Sequence, residues 1–305
     1  MARTRYAPDR GLTSRMLVTM FLLGLVYVVF VTIFFAISPS LGTIALIGAL
    51  IFLIVQYYFS DKLTLFAMHG REVTPEQAPE LHGVIDRICA LSDTPKPRVA
   101  VADTDVPNAF ATGRNQKKAV VCVTTGLLRR LDPVELEGVL AHEMSHIAHR
   151  DVAVMTIASF LGIVAGLITR FGLEWGLWGG FNRRDGDQNT GLVLLAIVAV
   201  SALAYAISFL LTRALSRYRE LSADRAAALL TGRPSALASA LTKVTGEIAR
   251  IPTQDLRAAQ AFNAFFFTPA FGKGASIATL FATHPPLEKR LQQLSSISAQ
   301  LSSGA

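Results

Sequence analysis

Four long apolar runs restrict this chain to a narrow set of folds. Met16–Ala36 and Leu41–Phe59 each have the length of a helix that spans a bilayer, and Val152–Ile168 and Leu192–Leu211 follow much later. A cleaved signal peptide is the competing reading of the first run. It is too long for a typical signal core, Phe34-Phe35-Ala36 lacks the small residue expected three before a cut, and a second run follows at once. A helical hairpin buried in a soluble core competes for the third and fourth runs, but their near-absence of charge favours spanning, the third being only just long enough. Composition points the same way. The 305 residues are 51% hydrophobic and 17% charged, against about 25% charged in a soluble domain. The chain therefore reads as an integral membrane protein with a soluble domain attached.

Arginine placement orients the runs. Arg3, Arg5, Arg10 and Arg15 precede the first run against a single Asp9, whereas the linker Ile37–Gly42 carries no charge. The positive-inside rule puts both ends of this hairpin in the cytoplasm. Arg213, Arg217, Arg219 and Arg225 after the fourth run agree with a cytoplasmic exit. The intervening stretch Arg170–Thr190 carries Trp175 and Trp178 as interfacial anchors and Arg183-Arg184-Asp185 as a polar tip, so it faces away from the cytoplasm. The net charge of +7 is thus spent on topology. No basic stripe is interleaved with aromatics, and no nucleic-acid partner is expected. Cys89 and Cys122 are far apart, which argues against a disulfide or structural zinc and suits a reducing compartment.

The polar region from Asp61 to Asp151 divides into recognisable elements. Leu81, Val84, Ile85, Ile88 and Leu91 line one face of a helix over Pro79–Leu91, which Thr94-Pro95-Lys96-Pro97 breaks. Arg98–Ala102 is a strand candidate. Asn108–Gly113 and Ala119–Thr124 form a hairpin across Arg114–Lys118. Beyond the fourth run, Pro234–Arg250 reads as a helix. Phe262–Phe281 is interrupted by Pro269, Gly272 and Gly274 and is not a span. His284-Pro285-Pro286 opens a final amphipathic helix through Leu287, Leu291 and Leu294, with little content beyond Ser295. The expected organisation is a basic arm and two-span hairpin over 1–60, a second hairpin over 152–212, and a soluble domain in two parts, 61–151 and 213–305.

The chemistry centres on Asp132–Asp151. Asp132 is an N-cap, Pro133 fits the first helical position and Glu135 completes a capping box. On the helix so started, His142-Glu143-Met144-Ser145-His146 places two imidazoles one turn apart on one face, where both can bind one zinc ion. Glu143 lies close enough to take a proton from an attacking water. Catalytic zinc usually takes a third protein ligand. The best candidate is Glu220, just after the fourth run, because a two-span hairpin returns the chain to the membrane face it left. Asp224, one turn on, faces the same way and is placed to accept the free imidazole N–H of His142. The plainer readings are a solvated carboxylate for Glu220 and a helix salt bridge to Arg217 or Arg225 for Asp224.

Four motifs, in chain order Asn108–Gly113, His142–His146, Glu220-x-x-Ala223-Asp224 and Thr283-His284-Pro285-Pro286, resemble the HtpX group of membrane zinc metalloproteases, with Ste24/CAAX and Oma-type proteases as wider relatives. The likeness covers nearly the whole chain. It implies an α+β membrane protein with four transmembrane helices and a mainly helical zincin (gluzincin) domain carrying a small β-sheet. It implies one zinc per chain on His142, His146 and Glu220, with Glu143 as base, and a stress-response endopeptidase of the bacterial inner membrane. Its partners would be misfolded membrane proteins, the lipid bilayer and other quality-control proteins. His149 lies about two turns from His142 and is assigned no role.

His284 is the candidate donor to the tetrahedral oxyanion, with Arg213, Arg217 or Arg219 behind it, and its competing reading is a helix-cap neighbour. A protease acting on many unfolded chains needs backbone pairing, which makes Asn108, Ala109, Phe110 and Ala111 the candidate substrate edge. A Ste24-like peptide-processing enzyme is the alternative function, although a chamber-enclosing relative would need more spans. A zinc-bearing scaffold without turnover would have no use for Glu143.

Overall fold

Strict alternation builds the sheet that supports the metal helix. In the computed structural model, which describes residues 6, 9–175, 188–248 and 284–303, β2 (Arg98–Ala102) and β4 (Val120–Thr124) run parallel, with Val99 opposite Val121 and Val101 opposite Val123. These four valines join the main core, while Ala100, Ala102, Val120 and Cys122 on the opposite face meet Leu65, Phe110 and Met68. Apolar cover on both faces is what a parallel pair requires. Short β1 (Gly70–Glu72) lies antiparallel to β2, and β3 (Ala109–Thr112) lies antiparallel to β4, giving the order β1-β2-β4-β3. Among the described residues β3 is therefore an edge. It ends at Gly113, whose φ of 127° suits glycine and where a Cβ would lie 2.6 Å from the Lys118 carbonyl oxygen.

The helices follow the sequence reading closely. α1 (Arg10–Ile37) and α2 (Pro39–Ala67) are separated by Ser38 alone, and α3 covers Pro79–Ser92. The short α4 (Thr125–Leu128) leads into α5 (Pro133–Ala148). α5 starts with the capping box in place: Asp132 Oδ1 accepts from the N–H groups of Val134 and Glu135 at 3.0 and 2.9 Å, and Glu135 Oε2 accepts from Asp132 N–H at 3.1 Å. Glu135 also receives Lys243 and Ser239, which ties α8 (Pro234–Ile248) onto α5. α6 spans Asp151–Trp175, and α7, Gln188–Thr231, is a single 44-residue helix. The last helix, α9 (Leu287–Ser303), continues past Ser295 because Ile297 adds a further buried position beyond Leu294. Trp178, Arg183–Asp185 and Phe262–Phe281 lie outside the described residues.

The chain divides into two units. One comprises Thr13–Tyr58 and Val154–Leu215 and contains the apolar helices. Within it, Phe30, Phe34, Leu161, Ala165 and Ala204 form a cluster, and Gly166 lets the Tyr205 ring approach to 3.1 Å of where its Cβ would stand. The other comprises Met1–Leu12, Phe59–Ala153 and Ser216–Ala305, and holds the sheet, α3, α5, α8 and α9. Among the described residues four helices are long and apolar enough to cross a membrane, α1, α2, α6 and α7. The fold is mostly helical, with one small mixed sheet.

Candidate metal centre

Helical spacing brings the two histidines of α5 to one face, and the last third of α7 supplies a carboxylate opposite them. His142 Nε2 lies 3.4 Å from Glu220 Oε2, and His146 Nε2 lies 3.5 Å from Glu220 Oε1. All three side chains are buried, and one ligand atom from each lies within 4.8 Å of the other two. Both imidazoles are oriented by a carboxylate behind them: His142 Nδ1 is 2.9 Å from Asp224 Oδ1, and His146 Nδ1 is 2.8 Å from Asp151 Oδ2. A carboxylate that accepts the Nδ1–H leaves the Nε2 lone pair for a ligand.

The donor set fits a small divalent cation. Two imidazole nitrogens and a carboxylate oxygen are the ligand types of zinc. Electrostatics agree, since burial alone would push His142 down, yet the Asp224 and Glu220 carboxylates outweigh it and raise the group to about 9. The cluster thus favours positive charge, as a proton or as a cation. His146 is held well below its ordinary value, mainly by burial and then by the Arg219 charge, which favours the neutral form that an imidazole needs in order to bind a cation.

Glu143 lies on the same helix, buried beside the donors. Its Oε2 accepts the backbone N–H of Ala111 at 3.0 Å, which couples the edge strand β3 to this carboxylate. Burial is the largest influence on Glu143 and raises it to about 7, partly countered by the His142 charge. His284 Nδ1 is 3.2 Å from Glu220 Oε2. His284 Nε2 is buried and makes no hydrogen bond among the described residues. Arg219 Nη2 reaches Glu220 Oε1 at 3.3 Å. Arg213 stacks on Phe209 instead, 4.7 Å from the ring centroid. His149 caps α5, its Nδ1 2.9 Å from the Ser145 carbonyl, on its own helix end. Asn108 is fastened to Thr124 through both its backbone N–H and its carbonyl, so its main chain faces β4 and not the open edge.

Two residues at this centre escape the sequence reading. Asp151 stands five residues after His146, at the head of an apolar run, where an acidic residue reads as a helix start. Arg290 is fully buried and grips Asp224 with two bonds, Nε–Oδ2 at 2.7 Å and Nη2–Oδ1 at 2.6 Å. Its signal was present. Arg290 falls on the same helical face as Leu287, Leu291 and Leu294, and a cation on an apolar face needs a buried partner.

A His-His-Glu donor set beside a buried carboxylate that an edge strand anchors, on a chain with four membrane-length helices, is the arrangement of a membrane metallopeptidase. The chain belongs to peptidase family M48, whose sequence signature matches residues 75–298. It is 64% identical over 299 residues to Protease HtpX homolog 1 of Streptomyces coelicolor, covering 98% of this chain and 97% of that one. It is 52% identical over 293 residues to the Protease HtpX homolog of Moorella thermoacetica, with 96% of each chain covered. The crystal structure of S. mikatae Ste24p shares the fold, with a TM-score of 0.51 at 16% identity over 94% of this chain and 67% of that one. The chain is thus a multi-pass membrane metalloprotease, similar in sequence to the HtpX proteases.

Proposed function

We propose that this chain is a zinc-dependent endopeptidase that cleaves misfolded or damaged membrane proteins on the cytoplasmic side of the inner (plasma) membrane. One zinc ion would be held by His142, His146 and Glu220. The observation that carries this reading is the pair of buried carboxylates, Asp224 and Asp151, that aim both imidazoles toward Glu220. Bound there, zinc would polarise the scissile carbonyl and make an attacking water more acidic.

The other roles fall to the chain itself. Glu143 takes the proton from the water and passes it to the leaving amine. Its bond to Ala111 N–H places it beside the edge strand. Ala109 and Ala111 pair with the substrate main chain along the open edge of β3, a mode that does not read side chains and so suits unfolded sequences of any composition. His284 donates from Nε2 to the oxyanion of the tetrahedral intermediate, with Arg219 supplying positive charge nearby. Asp224, Asp151 and Arg290 hold the ligands in place without touching the substrate. Residues 1–60 and 152–212 supply the membrane hairpins, and 61–151 and 213–305 together supply the catalytic domain.

Purified chain should degrade an unfolded membrane protein, and a chelator should abolish that activity until zinc is restored. Undiminished cleavage in chelator overturns the reading. Orientation has its own test. In a background lacking Cys89 and Cys122, single cysteines at Ser40 and Asn182 should both react with an impermeant thiol reagent in intact cells. Labelling at Ser40 with protection at Asn182 would mean that α6 and α7 do not span.

A further inference from the structure

The donors sit on two helices, so the centre keeps its shape only if α5 and α7 hold their separation. A third segment bonds to both. Tyr6 is buried in the main core, and its hydroxyl donates to the Ala141 carbonyl at 2.8 Å, one residue before His142. Asp9 accepts the Ser222 hydroxyl through Oδ2 at 2.6 Å, and Ser222 stands midway between Glu220 and Asp224 on α7. The same carboxylate caps α1 through Oδ1, which accepts Leu12 N–H at 2.8 Å. The first turn of α1 lies so close to α7 that a Cβ on Gly11 would overlap the Tyr218 hydroxyl.

We infer that Tyr6 and Asp9 form a clasp that sets the spacing of the ligand-bearing helices and thereby positions the metal donors. Neither residue is a ligand or touches the reacting atoms, and both act through the backbone and side chain of neighbours of the donors. Capping α1 needs only one oxygen of Asp9, so the second bond, to Ser222, has no part in starting that helix. Metal ligands must be placed to within about 0.2 Å, which makes a small change in helix separation costly to binding. A segment that merely tethered the N-terminus would have no reason to bond beside the donors on both helices. The inference rests on His142, His146 and Glu220 being the ligands.

The test uses the purified full-length chain loaded with zinc, and follows zinc release to a competing chelator, kcat and KM on a peptide substrate, and thermal unfolding. Tyr6→Phe keeps the ring and deletes one bond. Ser222→Ala deletes the Asp9 bond while leaving the α1 cap. Each should release zinc about tenfold faster and lower kcat about tenfold, with KM changed by less than about twofold. Asp9→Asn, which still offers an acceptor to Leu12 and a polar partner to Ser222, should keep most of the wild-type behaviour, whereas Asp9→Ala should not. Asp9→Ala combined with Ser222→Ala should release zinc no faster than Asp9→Ala alone, since both delete one interaction. Unchanged zinc release and kcat in Tyr6→Phe and Ser222→Ala, whatever happens to the melting temperature, overturns the clasp, as does a rise in KM alone. A wild-type chain that takes up no zinc overturns the ligand assignment and the clasp with it. A wild-type chain that holds zinc no more firmly than Tyr6→Phe overturns the clasp only.

Discussion

Glu143→Gln is expected to retain a full equivalent of zinc and to lose cleavage by about 10³-fold or more, the scale on which general bases contribute. Glutamine preserves the shape of the side chain and the acceptor for Ala111 N–H, so the edge strand keeps its anchor. What disappears is the capacity to carry a proton from water to amine. His142→Ala, His146→Ala and Glu220→Ala should fail differently, losing zinc or holding it weakly, because each removes one corner of a buried triad. Metal analysis of the four purified proteins separates the two kinds of defect. Full zinc and full activity in Glu220→Ala would remove it from the ligand set and send the search to Asp224. Glu247 is a poorer substitute, since it is engaged with Arg130 at 3.3 Å.

Proline substitutions along β3 should divide by phase. Ala111 N–H points to Glu143, away from β4, and N–H groups alternate along a strand, so Ala109 shares that side while Phe110 faces β4. Ala109→Pro should therefore leave the domain folded and cut cleavage by more than about tenfold by removing a substrate-facing donor, and Ala111→Pro should do so by removing the anchor of Glu143. Phe110→Pro should lower the melting temperature well beyond Phe110→Ala, which removes the buried ring but spares the ladder bond. Equal instability in Ala111→Pro and Phe110→Pro, or full activity in both, would exclude β3 as the substrate edge.

What was legible in the sequence was local. The capping box at Asp132, the two histidines one turn apart, the hairpin from Ala109 to Thr124 and the four apolar runs each depend on residues within a few positions of one another. The sheet order was not legible, because β2 and β4 are parallel neighbours with β3 between them in the chain, and β1 has three residues, too few to show alternation. Contacts that depend on meeting across the fold were equally hidden. Nothing near Tyr6 marks it as a partner of Ala141, 135 positions away. Asp151 could be seen as a helix start but not as a support for His146, since that role needs the turn at Arg150, whose φ is 60°. Arg290 was the avoidable omission, because a lone charge on an apolar face is a sequence-level signal.

The unbroken course of α7 past the metal centre has a consequence for which sequence changes this chain can tolerate. From Ser216 to Thr231 there is no glycine or proline, and the helix is continuous. Every residue in that interval is also a step of rotation, about 100° around the axis and about 1.5 Å along it. Inserting one residue between Glu220 and Asp224 would swing one of the two carboxylates about 100° off the face on which both approach His142. A loop can absorb length because its dihedrals are free, but this interval cannot. Substitutions are open at its exposed positions, Arg225 and Leu229, yet insertions and deletions between the two carboxylates are closed, so the count of residues from Glu220 to Asp224 is as much a part of the site as the residues themselves.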